Sequence, residues 1–203
     1  MTPNKTLLAL CTLAAAFVLA PHDAEAAGRI KARGATHNAE GGVTAGRASA
    51  ARGPNGGGVA RARGVKTDGQ GNGQAASGAV VRGPNGGTAG RAGTTSWNAD
   101  GSASHQSGAQ WNGQNGSGST QGGVTRGADG TVNGGRTTAV TGAQGGHYNA
   151  DTQVNDGNLD RSVDATGRNG NSYDATVTGN KDDGYNRTAT CHDSAGNVVD
   201  CRP

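Results

Sequence analysis

The sequence predicts an all-β protein: a glycine-rich run of repeated β-hairpins, laid out as a meander or a solenoid, with a flexible low-complexity N-terminal region. Three observations carry this. Turn-forming Asn-Gly and Asp-Gly pairs recur along the 203-residue chain at 55, 68, 85, 100, 115, 129, 156, 169 and 183, with "AGN" at 195–197 as a last member, and most gaps fall near 13 to 17. Such pairs suit hairpin turns, and even spacing is the mark of a β-repeat. "RGPNGG" at 52–57 returns at 82–87, each copy leading to an Arg-Ala pair, so the copies stand 30 residues apart, two turn intervals. Beyond about residue 136 the segments alternate: "YDATVTG" sets Tyr173, Ala175 and Val177 on one face and Asp174, Thr176 and Thr178 on the other, the pattern of a half-buried strand.

Residues 1–26 read as a secretory signal peptide. Lys5 precedes a 14-residue apolar stretch at 7–20, and Ala24 and Ala26 supply small residues for cleavage before Ala27. That stretch is too short to span about 30 Å of hydrocarbon, so no membrane span is expected after cleavage. Cys11 follows Leu10, where a lipidated cysteine wants a small residue, so the leader is not that of a lipoprotein.

Residues 27–92 hold ten Lys/Arg against Glu40 and Asp68, a net of +8, with no aromatic and poor alternation. They read as a basic, Gly/Ala/Arg-rich flexible region. Residues 93–203 hold seven Lys/Arg against eleven Asp, a net of −4, and read as a Gly/Asn/Thr-rich β-repeat. All 39 glycines lie beyond residue 26, beside only thirteen valines, Ile30, Leu159 and five aromatics as sizeable apolar side chains. So thin an apolar content does not fill an ordinary globule. It points to extended strands supported by their neighbours, to assembly or to partial disorder.

The aromatics Trp97, Trp111, Tyr148, Tyr173 and Tyr185 are each followed directly by Asn or Asp. This places each ring on the thin core near a strand start, with the polar residue pointing outward or capping a turn. Trp97 and Trp111, one repeat apart, equally suit stacking on sugar rings. Arg52, Arg61, Arg63, Arg82 and Arg91 are the candidate contacts for an anionic partner such as lipopolysaccharide or an acidic polysaccharide, the bland reading being a solvated tail. The basic region lacks interleaved aromatics for base stacking, which argues against sequence-specific nucleic-acid binding.

Beyond the leader only Cys191 and Cys201 remain, and an oxidising compartment favours their pairing. That pairing sets 192 opposite 200, 193 opposite 199 and 194 opposite 198, with Ala195-Gly196-Asn197 as the hairpin loop. A metal site on Cys191, His192 and Cys201 lacks CxxC spacing and a fourth ligand, so neither metal nor cofactor is expected. His37, His105, His147 and His192 are scattered among Gly and Ser, with no nucleophile held beside them, which argues against an enzyme.

"NSYDATVTGNKDDG" and "TCHDSAGNVVDC" resemble the YD-type repeats of bacterial surface and toxin-shell proteins over residues 148–203 at most, without the Gly-Arg-Leu segment usual there. The Gln/Asn/Gly stretch at 105–122 resembles curli-type amyloid subunits but lacks their regular ladder. Neither likeness carries a function across. The expectation is an exported, non-enzymatic structural or adhesive protein of the bacterial envelope or extracellular matrix, in the periplasm, at the cell surface or outside. It would self-associate through strand edges. The alternative is a carbohydrate- or polyanion-binding module.

Overall fold

A computed structural model describes residues 28–201. The leader read at 1–26, with Cys11 and the cleavage before Ala27, lies outside the described residues. These form thirteen strands: β1 (Gly28–His37), β2 (Val43–Arg52), β3 (Gly58–Thr67), β4 (Gly73–Arg82), β5 (Thr88–Trp97), β6 (Ala103–Gly113), β7 (Gly116–Arg126), β8 (Val132–Gly142), β9 (His147–Asn155), β10 (Asn158–Thr166), β11 (Ser172–Asn180), β12 (Gly184–His192) and β13 (Val198–Val199). All lie in one open antiparallel sheet whose spatial order is the sequence order. Of the two layouts open to the sequence, this is the meander.

Strand and turn together set the repeat. β2 to β6 begin at 43, 58, 73, 88 and 103, so a ten-residue strand and a five-residue connection make a 15-residue step. Two steps return the chain to the same end of the sheet, which puts the two "RGPNGG" copies in equivalent turns at 30 residues. In eight of the twelve connections the residue opening the turn donates its N–H to the carbonyl four residues on and accepts from the N–H three residues on. At Gly53 these bonds measure 2.8 and 3.3 Å. The pattern is a type I turn closed by one left-handed residue, here Gly56 at φ 74°. Only the glycine of each such Asn-Gly or Asp-Gly pair is left-handed. The exception is Asp156-Gly157, at 47° and 83°, which makes a two-residue hairpin turn.

Of the region 27–92, expected to be flexible, the described residues 28–92 form strands β1–β4 and the first half of β5, continuous in hydrogen bonding with the rest of the sheet. Alternation exists there in a form that a search for apolar periodicity misses. In "GVARARGVKT" the small Ala60, Ala62 and Gly64 share one face, and Val59, Arg61, Arg63 and Val65 the other. A strand with arginine on its solvated side satisfies the period of two as well as one with serine does.

Opposed residues of an antiparallel pair project to the same side, so the registers sort every strand residue onto one of two faces. The alanine face carries the whole buried core: Ala50 and Ala60, directly opposed and 4 % and 3 % exposed, and Ala62, with Val80 packed against the pair. Farther along, this face turns polar and acidic. All four strand carboxylates, Asp151, Asp160, Asp164 and Asp174, stand on it. Asp164 faces Asp174 across β10 and β11, and is contacted by His147 at 3.2 Å and by Asn149 Nδ2 at 3.2 Å. In β11, Tyr173, Ala175 and Val177 are half-buried while Asp174, Thr176 and Thr178 are exposed, as the alternation predicts.

Cys191 and Cys201 lie at disulfide distance, Cα to Cα 5.3 Å. The expected hairpin register is two residues off. Cys191 faces Val199 and His192 faces Val198, so the loop is Ser194-Ala195-Gly196. Asp193 decides this: its Oδ1 accepts from the N–H groups of Ala195 and Asn197, both at 2.9 Å, and its Oδ2 accepts from Asn197 Nδ2 at 3.0 Å. An aspartate that closes the turn on its own backbone overrides the loop that would set the cysteines opposite one another.

Candidate functional site

The second face gathers the cations and the rings. Across β1, β2 and β3 the residues Arg33, Arg47 and Arg63 stand directly opposed in one row. Arg29 and Lys31 of β1, Arg61 of β3 and Arg91 of β5 project on the same side. Among the described residues no strand carboxylate faces this way. The seven side chains belong to exposed residues. None has a hydrogen-bond or ion-pair partner among the described residues. The surface around Arg33, Arg47 and Arg63 forms an open trough of about 540 Å³ that runs on to Thr95 and His105. The opposite dish, about 670 Å³, lies on the alanine side over β7–β12 and holds Asp151, Asp164 and Asp174.

Of the four strand arginines farther along the arginine face, Arg126 at the end of β7 is likewise exposed and without a partner among the described residues, whereas the other three are engaged. Arg136 donates to Thr120 Oγ1 and Ser107 Oγ, both at 3.1 Å. Arg161 donates to the hydroxyl of Tyr148 at 3.2 Å. Arg187 donates to the hydroxyl of Tyr173 with its guanidinium carbon 5.9 Å from the ring centroid. Three of those four arginines thus have partners within the sheet, and the seven cations on β1–β5 have none.

All five aromatics among the described residues lie on this face, as the registers of Trp97 with Gly73, Trp111 with Gly118, Tyr148 with Ala165, Tyr173 with Ala165 and Tyr185 with Gly179 require. The placement of the rings near strand starts holds for the tyrosines, each second in its strand, but not for the tryptophans. Trp97 ends β5 and Trp111 is the ninth residue of β6. Asn98 does open a turn, its N–H reaching Ser102 at 2.9 Å. The two indoles share a packing mode. A Cβ on Gly73 would run into the ring of Trp97, and one on Gly118 into the ring of Trp111, so each indole is laid across the bare backbone of a neighbouring strand. Trp111 remains 38 % exposed.

Five arginines were expected to contact anions, and the sheet divides them. Arg61, Arg63 and Arg91 join the arginine face, whereas Arg52 and Arg82 stand on the alanine face at strand ends. Sequence reasoning missed Arg29, Lys31, Arg33 and Arg47. Their signal was parity: in "GRIKARGATH" every cation occupies an odd position. Trp97 and Trp111, read as equivalent positions one repeat apart, are not equivalent. Trp97 faces Ala103, eight residues before Trp111, so the rings sit toward opposite ends of adjacent strands, roughly 27 Å apart at ~3.4 Å per residue.

Four aspartates at turns have carboxyls held below the ordinary range. The causes are bonds from the side chains of Asn72 to Asp68, Ser102 to Asp100, Thr131 to Asp129 and Asn197 to Asp193, reinforced by backbone N–H groups. These carboxylates build turns. Among the described residues no cluster of three His, Cys, Asp or Glu could hold a metal ion, and no helix is long and apolar enough to cross a membrane. In comparisons with known proteins, no family model, no curated protein and no solved structure matches the chain.

Proposed function

We propose that this is an exported structural or adhesive protein of the bacterial cell envelope or extracellular matrix, joining copies of itself edge to edge. One observation carries the reading: a single-layer sheet of thirteen strands, with three buried alanines as its core, whose outer strands are open among the described residues. The outer edge of β1 is uncovered over ten residues, and β13 pairs only with Cys191 and His192, leaving Gly184–Thr190 of β12 uncovered. Open edges are templates for further strands. Joining β1 of one copy to β12 of the next sets the basic half against the acidic half, and such a head-to-tail contact leaves a free edge at each end, so it grows unless its rotation closes a ring.

Amide exchange on the processed protein, followed over a hundredfold range of concentration, tests this. Protection of β1 and β12 is expected to rise with concentration while that of β5–β8 stays constant. A monomer at every concentration, with β1 and β12 exchanging equally fast throughout, would overturn the reading.

A further inference from the structure

We propose that the arginine face of β1–β6 is a binding surface for a linear acidic polysaccharide, with Arg33, Arg47 and Arg63 meeting its carboxylates and Trp97 and Trp111 stacking on its sugar rings. The inference goes beyond edge association, since a single copy carries the whole surface.

Charge is the first argument. Like charges directly opposed across strands destabilise a sheet, yet Arg33, Arg47 and Arg63 form an uninterrupted row on three neighbouring strands. Among the described residues nothing on their own face offsets them: the strand carboxylates are on the other side, and three of the four arginines farther along are bonded to Ser, Thr and Tyr while these are not. An anion spaced along the row relieves the repulsion and accepts hydrogen bonds from guanidinium groups, which match carboxylate geometry. One small anion answers one or two of these cations. A polymer with a charge at each step answers the row.

The indoles choose among polyanions. Each has one ring face set against a glycine backbone, and Gly73 and Gly118 permit that close approach. A flat, apolar ring packed on the sheet surface suits the C–H face of a pyranose. The rings lie toward opposite ends of β5 and β6, with Arg91 between them on the same face, so a segment of the polymer along these strands meets a ring, a cation and a ring, at right angles to the segment that crosses β1–β3 on the arginine row. Single-stranded nucleic acid is the poorer fit. Base stacking calls for aromatics among the phosphate-binding cations, and β1–β4, which carry six of the seven, have none on either face.

The test measures binding of alginate, a linear polyuronate, to the natively processed protein by biolayer interferometry. Dextran and a 20-nucleotide single-stranded DNA are the comparators. Replacing Arg33, Arg47 and Arg63 by Gln is expected to weaken alginate binding at least tenfold. Replacing Arg52, Lys66 and Arg82 by Gln removes the same charge from the alanine face and is expected to change it less than threefold. Trp97→Ala with Trp111→Ala is expected to lose a further tenfold, and the arginine set alone decides the matter if the tryptophan pair disturbs the strand spectrum. Equal losses from the two charge sets would show a net-charge effect and overturn the site. So would absence of alginate binding at low salt, dextran binding as tightly as alginate, or DNA binding more tightly than either.

Discussion

Gly73 is the position at which packing in this single-layer sheet can be measured most directly. It has ordinary strand backbone, and the ring of Trp97 occupies the place its Cβ would take. Gly73→Ala should therefore push the indole off β4. Returning about 100 Å² of apolar surface to water at ~25 cal/mol per Å² costs about 2.5 kcal/mol. The same substitution made in a Trp97→Ala background meets no ring. There it should be neutral or stabilising by about 0.5–1 kcal/mol, because alanine loses less backbone entropy than glycine when a strand forms. The two effects have opposite signs and imply a coupling of about 3 kcal/mol between residues 24 positions apart. Urea unfolding followed by strand circular dichroism measures the four free energies, and fluorescence in a Trp111→Phe background reports the exposure of Trp97 as a red shift. Equal costs of Gly73→Ala with and without Trp97 would refute the stacked arrangement, as would an unshifted emission spectrum in the destabilised single variant.

Reduction and alkylation of Cys191 and Cys201, which close a loop with a sequence separation of 10, should cost about 2.7 kcal/mol in the chain-entropy model; amide exchange should then show β13 lost and β5–β8 retained. Gly56→Ala at φ 74°, where a Cβ would meet nothing within 4 Å, should cost about 1–2 kcal/mol of pure backbone strain, measured by the same urea unfolding. The turn carboxylates of Asp68, Asp100, Asp129 and Asp193 are depressed on folding, so the stability they add is complete above the ordinary carboxylate range and is lost as pH falls through their lower folded values. Carbon-detected NMR titration should show these four protonating last among the aspartates, and Asp129→Asn should remove one step from the acid limb of the stability curve.

Much of this fold was legible before any coordinate, because it rests on local chemistry. Turn positions followed from Asn, Asp and Gly, and the 15-residue step followed from the turns. The faces of β11 followed from "YDATVTG", and the pairing of Cys191 with Cys201 from their being the last two cysteines. Which residues meet across the sheet was another matter. An odd position projects to the arginine face from β1 through β6, to the alanine face in β7–β9, and to the arginine face again from β10. The reversals occur at the two-residue loops Gln114-Asn115 and Asp156-Gly157, since a connection that pairs residues an odd number apart exchanges the sides. The sequence by itself determined where most turns fall and, beyond about residue 136, how the strands alternate, because those signals lie within a few residues of one another. Only the tertiary structure decided that Arg63 joins Arg33 and Arg47 while Arg52 does not, and that Trp97 covers Gly73, because a side chain's face depends on the parity of every turn before it.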